Sequence, residues 1–215
     1  MVLEIYIDPS YTGTGVSVIK REATGKVASV EFALFSSGRK KQFLNNYFSA
    51  AYFISESFYG YLRSVLSGEL QPFEKVKIYL EAPFPLGQAS SGLYLLQGLL
   101  ILSILDIKDV YKEIVSDFTV FSVPPSLVHQ FVRKFSQGDK DSVKVRKRIV
   151  SDFIKERESS GTVFKNVDLC IKKGGVDVAT SYLFFEGLLT YSKELAEIDL
   201  DYNFSCESFT AMDIV

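Results

Sequence analysis

Residues 2–35 constrain the fold more than any other stretch. Three strand-forming runs, VLEIYI, VSVIKRE and KVASVEFALF, follow one another with only DPSYTGTG and ATG between them. Pro and Gly punctuate these turns, so each run folds back on the one before it and the three form an antiparallel meander. One acid, Asp8, closes the first run. Alone it reads as a turn former; beside other acids at a sheet edge it would be a ligand.

After the meander the period changes. FLNNYFSAAYFISESFYGYLRSVL places Phe43, Tyr47, Tyr52, Ser55, Tyr59 and Leu66 at helical spacing, which predicts one long helix with an aromatic face. KVKIYLEAP is a short strand that ends at Glu81 and is stopped by Pro83 and Pro85. SSGLYLLQGLLILSILDI predicts a helix capped by Ser90 or Ser91, DFTVFSVPP a strand and SLVHQFVRKF a short helix. DSVKVRKRIVSDFIKERE predicts a helix with an Asp or Ser cap, ESSGTVFKN a polar loop, and GGVDVATSYLFFEGLL the last helix. This order predicts an α/β domain: a mixed five-stranded sheet, three antiparallel strands then parallel crossovers, flanked by helices. It is expected to span 1–192 and to leave 193–215 as an acidic, weakly patterned tail.

Composition narrows the chemistry. A chain of 215 residues suits one domain with a full core. No run reaches the roughly 18 uncharged apolar residues of a membrane span, and the chain opens on strand-like sequence, so a cytoplasmic protein with no membrane partner is expected. Two cysteines, Cys170 and Cys206, and a single histidine argue against a disulfide scaffold and a Cys/His zinc site. His129, in PPSLVHQFVRK, has no acid near it in sequence, so it reads as structural or phosphate-facing. Hydrolytic chemistry then falls to carboxylates and a metal.

Asp8 closes the first strand, Glu81 closes the fourth, and Asp177 lies in the first turn of the last helix. If strands one and four are neighbours, their ends bring two carboxylates together and a helix on that edge delivers the third. Clustered acids need cations, and oxygen ligands suit Mg²⁺ or Mn²⁺. Two such ions about 4 Å apart activate water and stabilise the leaving oxygen of a phosphodiester. Gly13 and Gly15 would permit the close backbone approach after Asp8 that a phosphate-bearing ligand requires.

In this arrangement the chain resembles the RuvC-like Holliday junction resolvases of the ribonuclease H-like superfamily, especially their phage-type members. The resemblance rests on YIDPSYTGTGVSVI, IYLEAPF with SSGLYLLQGLLI, VPPSLVHQFVRKFSQGDKDSVKVRKRI, and GGVDVATSYLFF, in that order over about residues 3–190. It implies a ribonuclease H-like fold and a magnesium-dependent endonuclease acting as a homodimer, which nicks two strands of a four-way junction symmetrically. It implies Asp8, Glu81 and Asp177 as ligands of two ions per subunit, Lys144 on the scissile phosphate, and Arg133 in place of a second lysine. Phe84 would face bases at the junction centre. The family's further acid, three residues before the last one, is here Gly174, followed by Gly175; Asp168 is the candidate to replace it.

The net charge of −2 leaves room for a local basic face. Arg133, Lys134, Lys140, Lys144, Arg146, Lys147 and Arg148 stand against Asp139 and Asp141 alone, which marks them as DNA-phosphate contacts, with Arg39, Lys40 and Lys41 as a second group. Part of the aromatic face of the long helix could form the dimer interface. Two other readings stay open: a branched-DNA-binding module without catalysis, and an ATP-binding protein of the actin/Hsp70 type. Against the latter stand one domain, no second phosphate loop and no recognisable nucleotide pocket.

Overall fold

The computed structural model describes residues 1–10, 12–37, 47–68, 73–82, 91–173, 176–191 and 195–197. β1 (Val2–Asp8), β2 (Thr14–Arg21) and β3 (Val27–Phe35) form the meander. They are followed by α1 (Tyr47–Ser67), β4 (Lys75–Glu81), α2 (Ser91–Tyr111) and β5 (Asp117–Val123). Then come α3 (Ser126–Phe135), α4 (Val143–Ser159), β6 (Val163–Lys165), a one-turn π-helix (Leu169–Lys173), α5 (Val176–Tyr191) and β7 (Ala196–Glu197). Ser142 caps α4, its hydroxyl accepting from the Val145 amide at 3.3 Å.

The strands form one sheet in the order β6-β3-β2-β1-β4-β5-β7. Its central five are those expected from the sequence, antiparallel through β3-β2-β1 and parallel through β1-β4-β5. Two short edge strands extend it. VFK within the expected polar loop pairs with β3, and Ala196–Glu197, from the expected tail, pair with β5. Pieces of two and three residues carry too little periodicity to be read as strands. The rest of the tail, 198–215, lies outside the described residues.

Side-chain alternation divides the molecule into two cores. Leu3, Ile5 and Ile7 of β1, with Val16, Val18, Ile78 and Leu80, pack under α1 and α2. Tyr6, Ile19, Val30 and Tyr79 pack under α3, α4 and α5. On this second face Tyr6, Tyr79 and Phe121 lie in register across three strands, with ring centroids 4.4 and 5.2 Å apart, each stacked pair adding about 0.5–1.5 kcal/mol beyond its buried area. Asp8 shares the parity of Tyr6, and Glu81 that of Tyr79, so both acids belong to the face that carries α5.

On α1 the core side is Ala51, Ile54, Ser55, Phe58, Leu62 and Leu66, while Phe48, Tyr52 and Phe53 are exposed. Burial pushes the Cys170 thiol up to about 12. Among the described residues no helix is long and apolar enough to cross a membrane.

Candidate active site

Parallel pairing sets Ile7 beside Leu80, so Asp8 and Glu81 leave the C-terminal ends of β1 and β4 together. The end of β4 is fixed from two sides: the Ala82 amide donates to the Val123 carbonyl at 2.7 Å, and Gln97 Nε2 donates to the Glu81 carbonyl at 3.0 Å. The third acid comes from above. α5 lies on β2, where Ser17 and Ser181 share a hydrogen bond of 2.8 Å, and its first turn meets Gly15, the cross-strand partner of Asp8. A Cβ on Gly15 would stand 2.2 Å from the Asp177 carbonyl carbon. Only a residue without a side chain lets the start of α5 come this close to the strand.

The three carboxyl groups act on one another. Burial raises Asp8 well above the ordinary carboxylate range; the charges of Glu81 and Asp177 push the same way, and Asp8 and Glu81 are joined by a hydrogen bond. Glu81 and Asp177 are likewise raised, chiefly by burial. The positive charge opposing all three is that of Arg146, with His129 also acting on Glu81.

Arg146 is firmly held. Its Nε donates to Asp141 Oδ1 at 2.7 Å, its Nη2 to Asp141 Oδ2 at 2.7 Å, and its Nη1 to Thr180 Oγ1 at 3.0 Å. His129 Nδ1 lies 2.8 Å from the same Asp141 Oδ2. His129 therefore does have an orienting acid, contrary to the expectation from sequence, where the second half of α3 and the following turn separate the two residues. The Asp141 carboxyl is held below its usual range, first by its hydrogen bond to Arg146. In the sequence Arg146 stands out only as part of a basic run, and nothing there gives Asp141 or Thr180 a role. The one local hint is an acid directly before the Ser142 cap.

The other predicted residues are distributed as follows. Lys144, in the first turn of α4, is exposed, as are Arg133 and Lys140. The Lys134 ammonium lies over the Phe135 and Tyr191 rings. Arg148 pairs with Asp139 at 2.8 Å. The two acids of the basic segment thus engage Arg146 and Arg148. Asp168 is exposed beside the π-helix and is not among the leading influences on the three acids. Phe84, Arg39, Lys40, Lys41, Gly174 and Gly175 lie outside the described residues.

This architecture is shared with known structures. The yeast mitochondrial Holliday junction resolvase Ydc2 superposes with a TM-score of 0.54 at 13% identity, over 86% of this chain and 77% of that one. Thermus thermophilus RuvC superposes with a TM-score of 0.51 at 12% identity, over 91% of this chain and 99% of that one. The chain has the RuvC-like, ribonuclease H-like fold. No protein-family model and no curated sequence matches it. Within the RuvC-like fold the acids of this chain occupy the ends of the central strands and the start of the last helix.

Carboxylate oxygens on three elements are a donor set suited to Mg²⁺ or Mn²⁺, and their shared burial leaves negative charge that a cation would relieve. Among the described residues, however, no group of three or more His, Cys, Asp or Glu forms a ready-made metal cage. The three acids are opposed by one positive charge, that of Arg146.

Proposed function

We propose that the chain is a divalent-metal-dependent endonuclease that resolves four-way and related branched DNA. The observation that carries this reading is the meeting of Asp8, Glu81 and Asp177 at the ends of β1, β4 and the start of α5, with Arg146 beside them. The solved structures that share its fold with the higher scores are a Holliday junction resolvase and RuvC.

In this reading Asp8, Glu81 and Asp177 hold the metal. A divalent cation bound there would supply a water of lowered pKa as nucleophile and positive charge for the leaving oxygen. The protein's own groups do the rest. The partial burial of the carboxylates strengthens their attraction for a cation, and the Asp141–Arg146 pair holds a permanently charged guanidinium. Lys144, Lys140, Lys134, Arg133 and Lys147 bind flanking phosphates, which position the strand without reading its sequence. Selectivity then comes from the shape of the branch. Symmetric nicks need two active sites, hence a homodimer, with exposed Phe48, Tyr52 and Phe53 of α1 as candidate contacts.

Incubation with labelled four-way junctions, in Mg²⁺ or in EDTA, tests the reading. Paired nicks that require Mg²⁺ support it. Binding without cutting in any divalent metal leaves a DNA-binding module, and metal-dependent ATP turnover without DNA cleavage points to a nucleotide enzyme.

A further inference from the structure

His129 is exposed on the first turn of α3, yet its ring is held. β5 ends at Val123, the cross-strand partner of Glu81, and α3 begins three residues later, so this turn stands at the sheet edge that carries the acids. Its neighbours Leu127 and Val128 are buried in the core that α3 shares with α5, which fixes the helix there. His129 Nδ1 then lies 2.8 Å from Asp141 Oδ2, and its charge also acts on Glu81. The charged groups around the ring are thus Asp141, from the turn before α4, and Glu81, at the end of β4, with Arg146 of α4 behind Asp141.

Asp141 decides which ring nitrogen carries the proton. Its carboxyl is held below the usual range, first by the hydrogen bond from Arg146, so it is ionised and can only accept. Nδ1 is therefore the donor, and Nε2 is turned away from Asp141. The side chain is 56% exposed, and among the described residues Nε2 has no hydrogen-bond partner, so it is open to an incoming strand.

The nuclease reading above accounts for the nucleophile but leaves the departing sugar oxygen without a proton. Histidine is the side chain that gives up and regains a proton near neutral pH, and an acid behind the far nitrogen fixes its aim. Resting on that reading, we propose that His129, oriented by Asp141, is the proton donor to the leaving oxygen. The water oxygen bonds to phosphorus as the bond from phosphorus to the bridging sugar oxygen breaks. That oxygen takes the proton from Nε2, the ring regains one from solvent, and the proton lost by the water goes to solvent.

A bridging sulfur tests this, because a thiolate departs without the proton that an alkoxide needs. Four-way junctions with oxygen or sulfur at the scissile bridge are cut in Mn²⁺ by the wild type, His129→Ala and His129→Gln, and each variant's rate is divided by that of the wild type on the same junction. Both variants should lose about 100-fold on the oxygen junction, within the range of general acid catalysis, and change little on the sulfur one. Because His129 is exposed, both should melt with the wild type, and the melts confirm that folded molecules are compared. Equal losses on the two junctions by folded variants, the mark of a phosphate contact, or no loss on oxygen would overturn the proposal and leave the nuclease reading standing. A wild type that cuts neither junction overturns that reading, and this proposal with it.

Discussion

The backbone of Asp177 rests on Gly15: a methyl group there would come within 2.2 Å of the Asp177 carbonyl carbon and 2.3 Å of its oxygen. Because Gly15 is also the cross-strand partner of Asp8, one missing side chain sets the distance between two of the three acids.

Gly15→Ala should therefore both destabilise and inactivate. The obstacle is backbone, which cannot rotate away, so a cost at or above the usual 1–3 kcal/mol of overpacking, roughly, is expected, with α5 pushed off the strand. Gly13→Ala is the control. Its Cβ would meet the end of the Leu34 side chain at 2.8 Å, which can turn aside. Thermal melts and junction cleavage of both variants check this; equal tolerance of the two would contradict the close packing of α5 on Gly15.

The acids carry a stability signature. Asp8, Glu81 and Asp177 all have folded-state carboxyl groups raised by burial, so the folded chain holds their protons more tightly than the unfolded chain. Stability then falls as pH rises from the ordinary carboxylate range through the raised folded values. Asp8→Asn removes one of the buried charges. In metal-free buffer near neutral pH it should raise Tm, by about 2–4 °C for each kcal/mol relieved in a chain of this size, and flatten the decline with pH. A melt series from mildly acidic to neutral pH reads this out, and a variant less stable than the wild type at neutral pH would contradict it.

Away from the site, Arg157 Nε donates to Glu186 Oε1 at 2.6 Å and Nη2 to Oε2 at 2.8 Å, and Glu186 is 3% exposed. Glu186→Ala strands a partly buried guanidinium and should cost about 3–5 kcal/mol. Replacing both, Arg157→Met with Glu186→Leu, should recover most of that stability. Chemical denaturation measures both, with cleavage per folded molecule unchanged.

The basic segment makes a separate prediction. Lys140→Glu and Lys144→Glu should weaken junction binding in EDTA and reduce its salt dependence by about 0.9 in the log–log slope for each phosphate that is no longer neutralised. Arg148→Gln, which removes a cation already paired with Asp139, should change the slope less. Binding isotherms at several salt concentrations decide.

Much of this was legible in the sequence because it follows from periodicity. The meander and the three acids at element ends come from apolar runs, Pro and Gly turns, and the change to helical spacing, whereas the placement of β4 beside β1, only a condition in the sequence reading, is supplied by the fold. The edge strands β6 and β7 were not, since two or three residues show no period. Nor was the Asp141 cluster. His129 on α3, Arg146 on α4 and Thr180 on α5 converge on it only once three helices pack on one face of the sheet, and no local spacing encodes that packing. From sequence Arg146 reads only as one of a basic run, not as the cation whose charge opposes the three acids.

Asp8, Glu81 and Asp177 are proposed above all as a nuclease site for branched DNA. Cleavage of a labelled four-way junction, beside a duplex of the same sequence, tests this most directly, with wild type and Asp8→Asn each in Mg²⁺ and in EDTA. Paired, symmetric nicks are expected in the junction alone, made only by the wild type and only with Mg²⁺. Nicks that persist in Asp8→Asn, or a wild type that binds the junction and cuts nothing with Mg²⁺ or Mn²⁺, would contradict it.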